Sequence, residues 1–193
     1  MGISIKEILQ AFTVLFAIID VTGSIPIVIR LKHQGMSIKP LQISLITFAV
    51  MVAFLIGGEQ LLAAINVDLH AFALAGAFIL LVYGIEMTLG VHIMKNDDCP
   101  EGTSAIIPLV FPLFAGAGAL TTLISMRTTF AAVNIIIAVF LNIVLIYLML
   151  KYIHTIERII GPSAIYIITK LLGIVLLAVA SKMFVDNLQA LTL

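Results

Sequence analysis

The sequence predicts an all-α integral membrane protein of six transmembrane helices, built as two inverted three-helix repeats whose first and fourth helices are broken. Of its 193 residues, 62% are apolar and 10% charged, against about 45–50% and about 25% in soluble domains, and mean hydropathy is +1.25. The apolar residues gather in stretches 5–31, 40–64, 70–91, 104–127, 129–153 and 162–188, each able to supply the roughly 20 residues that cross the hydrocarbon as a helix. The first and fourth stretches alone are interrupted by Gly and Pro at matching places in the two halves of the chain.

The stretches are continuous, whereas barrel strands alternate apolar and polar over about ten residues. Helices are therefore expected, because lipid offers the backbone no hydrogen-bond partner and a helix satisfies itself. The whole chain, 1–193, reads as one membrane domain, with a first repeat over 1–96 and a second, inverted one over 97–193. Little remains for a soluble catalytic domain, and ten basic against ten acidic residues leave no basic patch for a nucleic-acid partner. The expected surroundings are a lipid bilayer. Lys6 followed by the apolar run Ile8 to Ile19 resembles a secretion signal, but no small-residue cleavage site follows and apolar character resumes at Ile25. The stretch 5–31 is expected to stay as a span. Cys99 stands alone and cannot form an intramolecular disulfide.

Alternate loops differ in basic residues. Arg30, Lys32, Lys39, Lys95, Lys151 and Arg158 fall on one side, and Lys6, Arg127 and Lys182 on the other. The side with the excess is expected in the cytoplasm, which puts both termini outside a plasma or inner membrane. Tyr147, Tyr152 and Tyr166 suit interfacial anchoring.

The first stretch holds Asp20-Val21-Thr22-Gly23-Ser24-Ile25-Pro26, and the fourth holds Pro108, Pro112 and Ala115-Gly116-Ala117-Gly118-Ala119-Leu120-Thr121-Thr122. In a helix interior Gly costs close to 1 kcal/mol relative to Ala and Pro about 3, so these runs predict breaks. Gly23 and Gly118 are 95 residues apart, as are Phe16 and Phe111, while Leu80, Leu81 and Met87 recur 96 residues on as Leu176, Leu177 and Met183. A duplicated unit of three spans enters the membrane from the opposite side in its second copy, and inverted repeats with broken helices in corresponding places point to a midplane binding site. The plainer reading of Gly116 and Gly118 is close helix packing by small residues; the pairing of two interrupted spans, one with an acid inside it, favours the site.

A break frees backbone N–H groups and about half a positive charge at the start of its second half, and carbonyls at the end of its first. Residues Asp20, Thr22, Gly23 and Ser24 at the first break, and Gly116, Ala117, Gly118, Ala119, Thr121 and Thr122 at the second, are the expected substrate-binding set. The helix starts suit a carboxylate, with Ser24 a good N-cap, and carbonyls near Ile19 and Ala115 suit an ammonium group or a cation. Asp20 lies about fifteen residues into its stretch among apolar neighbours, where a charge costs on the order of 3 kcal/mol. It is the candidate to hold a substrate amine or to carry the coupling ion, sodium or a proton; its plainer role is to cap the break.

Other polar residues point elsewhere. Glu86 and Lys182 occupy matching repeat positions, but inversion puts them near opposite faces, so no pair is expected. Glu59 and Arg127 fall near span ends, and Asn134 and Asn142 suit hydrogen bonds between helices. His33, His70, His92 and His154 show no metal-ligand spacing. The run Asn96-Asp97-Asp98 reads as a solvated loop, and the eight Met and eleven Phe as packing or lipid-facing residues.

The Asp-x-x-Gly-x-x-Pro pattern of Asp20, Gly23 and Pro26 is similar to the first-span motif of MarC-related membrane proteins, as is the run Ile107 to Thr122 to their fourth-span motif and Ala71 to Gly90 to their third span. The resemblance covers nearly the whole chain, and it implies six spans and transport of small neutral amino acids such as glycine and alanine. Val21 and Ala117 stand where that family commonly has Pro.

The expected function is secondary active transport of a small zwitterionic amino acid, coupled to a proton or sodium gradient by alternating access. A channel-like pore is one alternative, since broken helices also line pores, and a structural or regulatory membrane protein is another. An enzyme is not expected: no P-loop occurs, no second membrane Asp accompanies Asp20, and the His residues lie away from Ser24. No cofactor is called for beyond the coupling ion.

Overall fold

A computed structural model describes residues 3–33, 35–91 and 105–192. His92, Lys95, Asn96-Asp97-Asp98, Cys99 and the repeat boundary between 96 and 97 lie outside the described residues. The described residues form nine helices and no strand: α1 (Ile5–Ile19), α2 (Ile25–His33), α3 (Pro40–Ala64), α4 (Leu69–Leu89), α5 (Ile106–Phe114), α6 (Ala117–Met126), α7 (Ala132–Lys151), α8 (Ile153–Ile160) and α9 (Pro162–Thr192). Four of them, α3, α4, α7 and α9, are long and apolar enough to cross a membrane, and the pair α5 and α6, bent by 50°, makes a fifth if counted as one span.

The first stretch is where six spans are not reproduced by length. It is split into α1, of 15 residues, and α2, of nine. At 1.5 Å per residue these reach about 22 Å and about 13 Å, each short of the roughly 30 Å hydrocarbon, and α2 ends in Arg30, Lys32 and His33. A second difference is α8. The segment after Lys151, expected to be a loop, is helical because Ile153, Ile156 and Ile160 recur at helical spacing, with Ile153 buried and Ile156 and Ile160 packed on the core.

The starts of α1 and α7 are tied together. Ser4 accepts from the Glu7 N–H at 3.4 Å, as in a capping box, but the Glu7 carboxylate turns away and takes hydrogen bonds from Asn134 Nδ2 at 2.7 Å and the Ala131 N–H at 3.2 Å, at the start of α7. That places an acid against the positive end of α7. Further along, Asn142 Nδ2 donates to the Phe12 carbonyl at 3.3 Å. Asn134 and Asn142 thus do link helices.

Helices α4 and α9 run antiparallel in close contact. A Cβ on Gly84 would come within 2.7 Å of Leu177, and one on Gly173 within 2.7 Å of Thr88. Small residues let the two backbones approach, a device suited to lipid, where no hydrophobic force draws helices together. One end of this pair joins His70 to Asn187 at 3.0 Å, and the other joins Lys170 to the Thr88 carbonyl at 2.8 Å.

At that second end Arg30 of α2 donates to the Val91 carbonyl at 2.8 Å and lies 3.7 Å from the buried Glu86, while Lys32 and His33 bond the Glu157 carboxylate of α8. Helix α7 is 20 residues long, about 30 Å, so its tie to α1 lies at the opposite end from α8. Lys151 lies 5.7 Å from the Tyr147 and Tyr152 ring centres, and Lys170 lies 5.5 Å from that of Tyr166. Arg127 caps α6 and reaches the Ile56 carbonyl of α3 at 2.8 Å. Leu15, Ile29, Leu120, Leu123, Ile135 and Ile146 are fully buried where these helices meet.

The hydrogen bonds from Lys32 and then His33 hold the Glu157 carboxyl below its ordinary value of 4.5. A depressed carboxyl favours the folded state fully above the unfolded value and loses that contribution as pH falls through the folded one. Thermal unfolding of the detergent-solubilised protein is expected to show Glu157→Gln less stable than the wild type at about pH 6, with the gap closing as pH falls below 4.5. A gap independent of pH would contradict the tie between α2 and α8.

Candidate functional site

The first break begins where α1 ends. Asp20 takes the left-handed conformation at φ 46°, ψ 61° and its N–H donates to the Phe16 carbonyl. Asp is among the few L residues that visit this region readily, because its short side chain bonds locally. Here Oδ1 accepts from the Gly23 N–H at 3.0 Å and from Thr22 Oγ1 at 3.2 Å. A side chain on Gly23 would overlap the Asp20 carboxylate, so Gly23 is what lets that turn close. Oδ2 has no hydrogen-bond partner among the described residues, and Asp20 is exposed while Ile19 and Val21 on either side are buried.

Ser24 does not cap α2. Its hydroxyl donates to the Val21 carbonyl at 2.6 Å, the Ile25 N–H is taken by the Thr22 carbonyl at 3.3 Å, and Pro26 has no N–H. The start of α2 therefore has few donors left for a ligand.

The second break is different. Helix α5 opens with Ile106–Pro108 and widens over Leu109–Phe114, where Phe111 is extended at φ −130°, ψ 125° and Pro112 lacks a donor. Gly116 then caps α6 with no side-chain hydrogen bond. The N–H groups of Ala117, Gly118 and Ala119, in the first turn of α6, cannot bond within their own helix. They carry the positive end of its dipole. A side chain on Gly116 would overlap the Pro112 carbonyl, whereas one on Gly118 would meet only Met183 at 3.6 Å and Ile18 at 3.8 Å, in ordinary contact.

Both breaks line one cavity of about 310 Å³. Asp20, Gly23 and Ser24 enter it from the first, and Pro112, Gly116, Gly118 and Ala119 from the second. Thr22 faces a smaller cavity beside Pro26 and Ile160. Ala117 is turned to α4, where a Cβ on Gly76 would lie 2.5 Å from its own. Thr121 and Thr122 bond back to the Gly118 carbonyl at 3.1 and 2.8 Å. Of the ten expected residues, six therefore share the cavity, and Thr22, Ala117, Thr121 and Thr122 do not line it.

The rest of the wall is aliphatic. Leu80 and Met87 of α4 and Leu176, Val179 and Met183 of α9 complete it. The methionines were expected only to pack or face lipid; their recurrence with Leu80 and Leu176 at the 96-residue offset was the signal that they share a surface. Leu80 and Met87 lie seven residues apart, as do Leu176 and Met183, which puts each pair on one helix face. The arrangement is a mostly apolar chamber with one carboxylate and one uncapped helix start, able to orient a small molecule that has a cationic and an anionic end. Glu86 and Arg30 border a second cavity, of about 440 Å³, and Met87 lines both. No group of three or more His, Cys, Asp or Glu that could hold a metal occurs among the described residues.

The two glycines of the second break should respond differently to one added methyl group. Gly116→Ala is expected to lower stability by about 1–3 kcal/mol through overlap with backbone, and Gly118→Ala to be neutral or slightly stabilising through helix propensity. Thermal unfolding in detergent checks this, and equal losses would contradict the geometry of the break.

The sequence profile of the MarC family of integral membrane proteins matches residues 5–192. The chain is 28% identical to a UPF0056 membrane protein of Aquifex aeolicus (strain VF5), over 94% of this chain and 92% of that one. It is 27% identical to a UPF0056 membrane protein of Methanocaldococcus jannaschii, over 96% and 97% of the two chains. It is also 27% identical to the UPF0056 inner membrane protein YhgN of Escherichia coli (strain K12), over 95% and 97%. No solved structure matches it. The chain belongs to the MarC family of integral membrane proteins.

Proposed function

We propose that this MarC-family protein is a secondary active transporter of small neutral amino acids, of the glycine and alanine class, coupled to a proton or sodium gradient in the plasma (inner) membrane. The observation that carries the proposal is the meeting of both helix breaks in one chamber that holds a single carboxylate, Asp20. In this reading the substrate carboxylate docks on the first-turn N–H groups of α6, as anions do at helix starts. The substrate ammonium, or the coupling cation, takes Asp20 Oδ2. Since the start of α2 is largely satisfied by its own turn, α6 does most of the anion binding. Ser24 shapes the turn rather than touching the substrate.

The transport cycle is alternating access between two inverted repeats, the first made of α1 to α4 and the second of α5 to α9, with each broken pair counted as one crossing. Two features support this. Gly23 and Gly118, Leu80 and Leu176, and Met87 and Met183 are matched by the 95- or 96-residue offset, and all six border the same cavity. The ends of α2 and α4 and the helix α8 that follows α7 also meet at one end of the bundle, through Arg30 with Val91 and Lys32 with Glu157, an arrangement consistent with six alternating crossings. That end carries the basic excess and is assigned to the cytoplasm, with both termini outside. The name of the Escherichia coli relative agrees with the inner membrane.

Uptake of labelled glycine and alanine into proteoliposomes under imposed proton or sodium gradients tests the proposal. Saturable accumulation is expected, with counterflow that a pore would not give. Asp20→Asn is expected to abolish gradient-driven accumulation, and Gly118→Leu, which fills the chamber beside Met183, to reduce uptake at least tenfold. Absence of saturable uptake would overturn the transport reading, and full coupling in Asp20→Asn would overturn the role of Asp20.

A further inference from the structure

We infer that the cavity of about 440 Å³ between α2, α4 and α9 binds the phosphate of an anionic phospholipid, whose acyl chain lies in the apolar cavity beside it, where α2, α8 and α9 come together. Arg30, His33 and Lys170 line the larger cavity, and Glu86 is the one carboxylate that lines it among the described residues. Lys32 and His33 are matched against Glu157, and Arg30 lies 3.7 Å from Glu86. Lys170 has no carboxylate within ion-pair distance among the described residues, so the cavity keeps a positive charge in excess. The Thr88 carbonyl takes one Lys170 N–H at 2.8 Å, which leaves the rest of the ammonium for a ligand. Arg30 likewise gives one N–H to the Val91 carbonyl at 2.8 Å and has others to offer. A guanidinium and an ammonium lining one pocket suit the oxygens of a phosphate.

Two observations favour a lipid over a free phosphate. The neighbouring cavity, of about 190 Å³, has Ile25, Ile160 and Ile168 in its walls, and Pro26, Ile29 and Ile165 line both cavities. Its one polar side chain, Thr22, donates to Asp20 Oδ1 at 3.2 Å. A free phosphate gains nothing from such a surface, whereas an acyl chain gains with every methylene it buries there. The second observation is position. Tyr166 lines the larger cavity and is 65% exposed, on the same helix as the exposed Ile167, Leu171 and Ile174. The cavity therefore reaches the side of α9 that faces lipid. It lies at the level where α4 ends, since Lys170 bonds the Thr88 carbonyl and α4 stops at Leu89, and Tyr suits the headgroup region. Basic pockets between transmembrane helices at the cytoplasmic interface recognise anionic headgroups by this chemistry. A lipid bound there ties α2, too short to span alone, to α9.

The test is thermal unfolding of the full chain in uncharged detergent, titrated with phosphatidylglycerol, phosphatidylcholine of the same acyl chains, glycerol phosphate or inorganic phosphate. Phosphatidylglycerol is expected to stabilise at concentrations about fivefold lower than phosphatidylcholine, the effect of one basic residue at an anionic surface. The two water-soluble phosphates are expected to give no shift at matched concentration. Lys170→Gln, which keeps a donor but removes the charge, is expected to abolish the preference, and Lys170→Arg to retain it. Lys182→Gln, further along α9, is expected to leave it unchanged, and Ile168→Trp, which fills the apolar cavity, to weaken both lipids. An equal response to the two lipids, or a preference that survives Lys170→Gln, would overturn the site. A preference lost equally in Lys182→Gln would mark general surface charge and overturn it as well. A shift with glycerol phosphate as large as that with phosphatidylglycerol would overturn the lipid as occupant. None of these readouts depends on transport, so the site and the transport reading stand or fall separately.

Discussion

Backbone groups that leave a helix inside a membrane must find partners in protein or in a wet cavity, because hydrocarbon supplies none. Two places in this chain leave a helix between apolar segments, at residues 20–24 and 115–116, and they meet that demand differently. The first break closes on itself: Asp20 covers the Gly23 N–H, the Thr22 carbonyl takes the Ile25 N–H, and the Ser24 hydroxyl takes the Val21 carbonyl. The second closes only on its carbonyl side, where Ala115 bonds Val110 at 2.8 Å. Of its first-turn N–H groups, those of Gly118 and Ala119 belong to residues that line the chamber. One break is self-sufficient and acidic and the other is electropositive, and that difference gives the chamber its polarity.

The surrounding helices hold the two breaks in register through close contacts rather than through many polar bonds. Gly76 admits Ala117 at the start of α6, and Gly84 and Gly173 bring α4 and α9 together. Polar ties sit near the ends of the bundle: Glu7 with Asn134 at one, and Lys32 and His33 with Glu157 at the other. The Arg30 and Glu86 pair is more enclosed, with side chains 18% and 7% exposed. Pairs of that kind add little to net stability because both charges lose hydration, but removal of one partner strands the other. Arg30 also fixes α2 to the end of α4 through the Val91 carbonyl, so the pair is better understood as positioning α2 than as strengthening the fold.

Much of this was legible in the residues. Both breaks could be read from Gly and Pro that fall together in one apolar stretch, whereas the isolated Gly76, Gly84 and Gly173 sit inside continuous helices. The wall formed by α4 and α9 was half-legible: the offset of Leu80 and Met87 from Leu176 and Met183 was visible, but which faces those residues share depends on an antiparallel contact between helices that are remote in the chain. Ser24 was misjudged as a cap because a hydroxyl beside a helix start can turn to an upstream carbonyl instead. Thr121 and Thr122 likewise bond back within α6. Helix α8 was missed because its eight residues, with Glu157 and Arg158 among isoleucines, are too few for periodicity to stand out from a charged loop. The tie between Arg30 and Glu86 joins residues 56 positions apart in the chain, a distance at which charge patterning carries no signal.

The central claim is that the two breaks face each other across one chamber, and cysteine cross-linking in native membranes tests it most directly. With Cys99 replaced by Ser, a double variant with Ile18→Cys and Gly118→Cys tests the approach of α1 to the start of α6, where the Gly118 Cβ position lies 3.8 Å from Ile18 Cγ2. A Gly84→Cys and Leu177→Cys pair across α4 and α9 serves as the control. The account predicts that both pairs oxidise readily and that small amino acids slow the first pair but not the second. A control pair that closes while the first stays reduced under the same oxidation would contradict it.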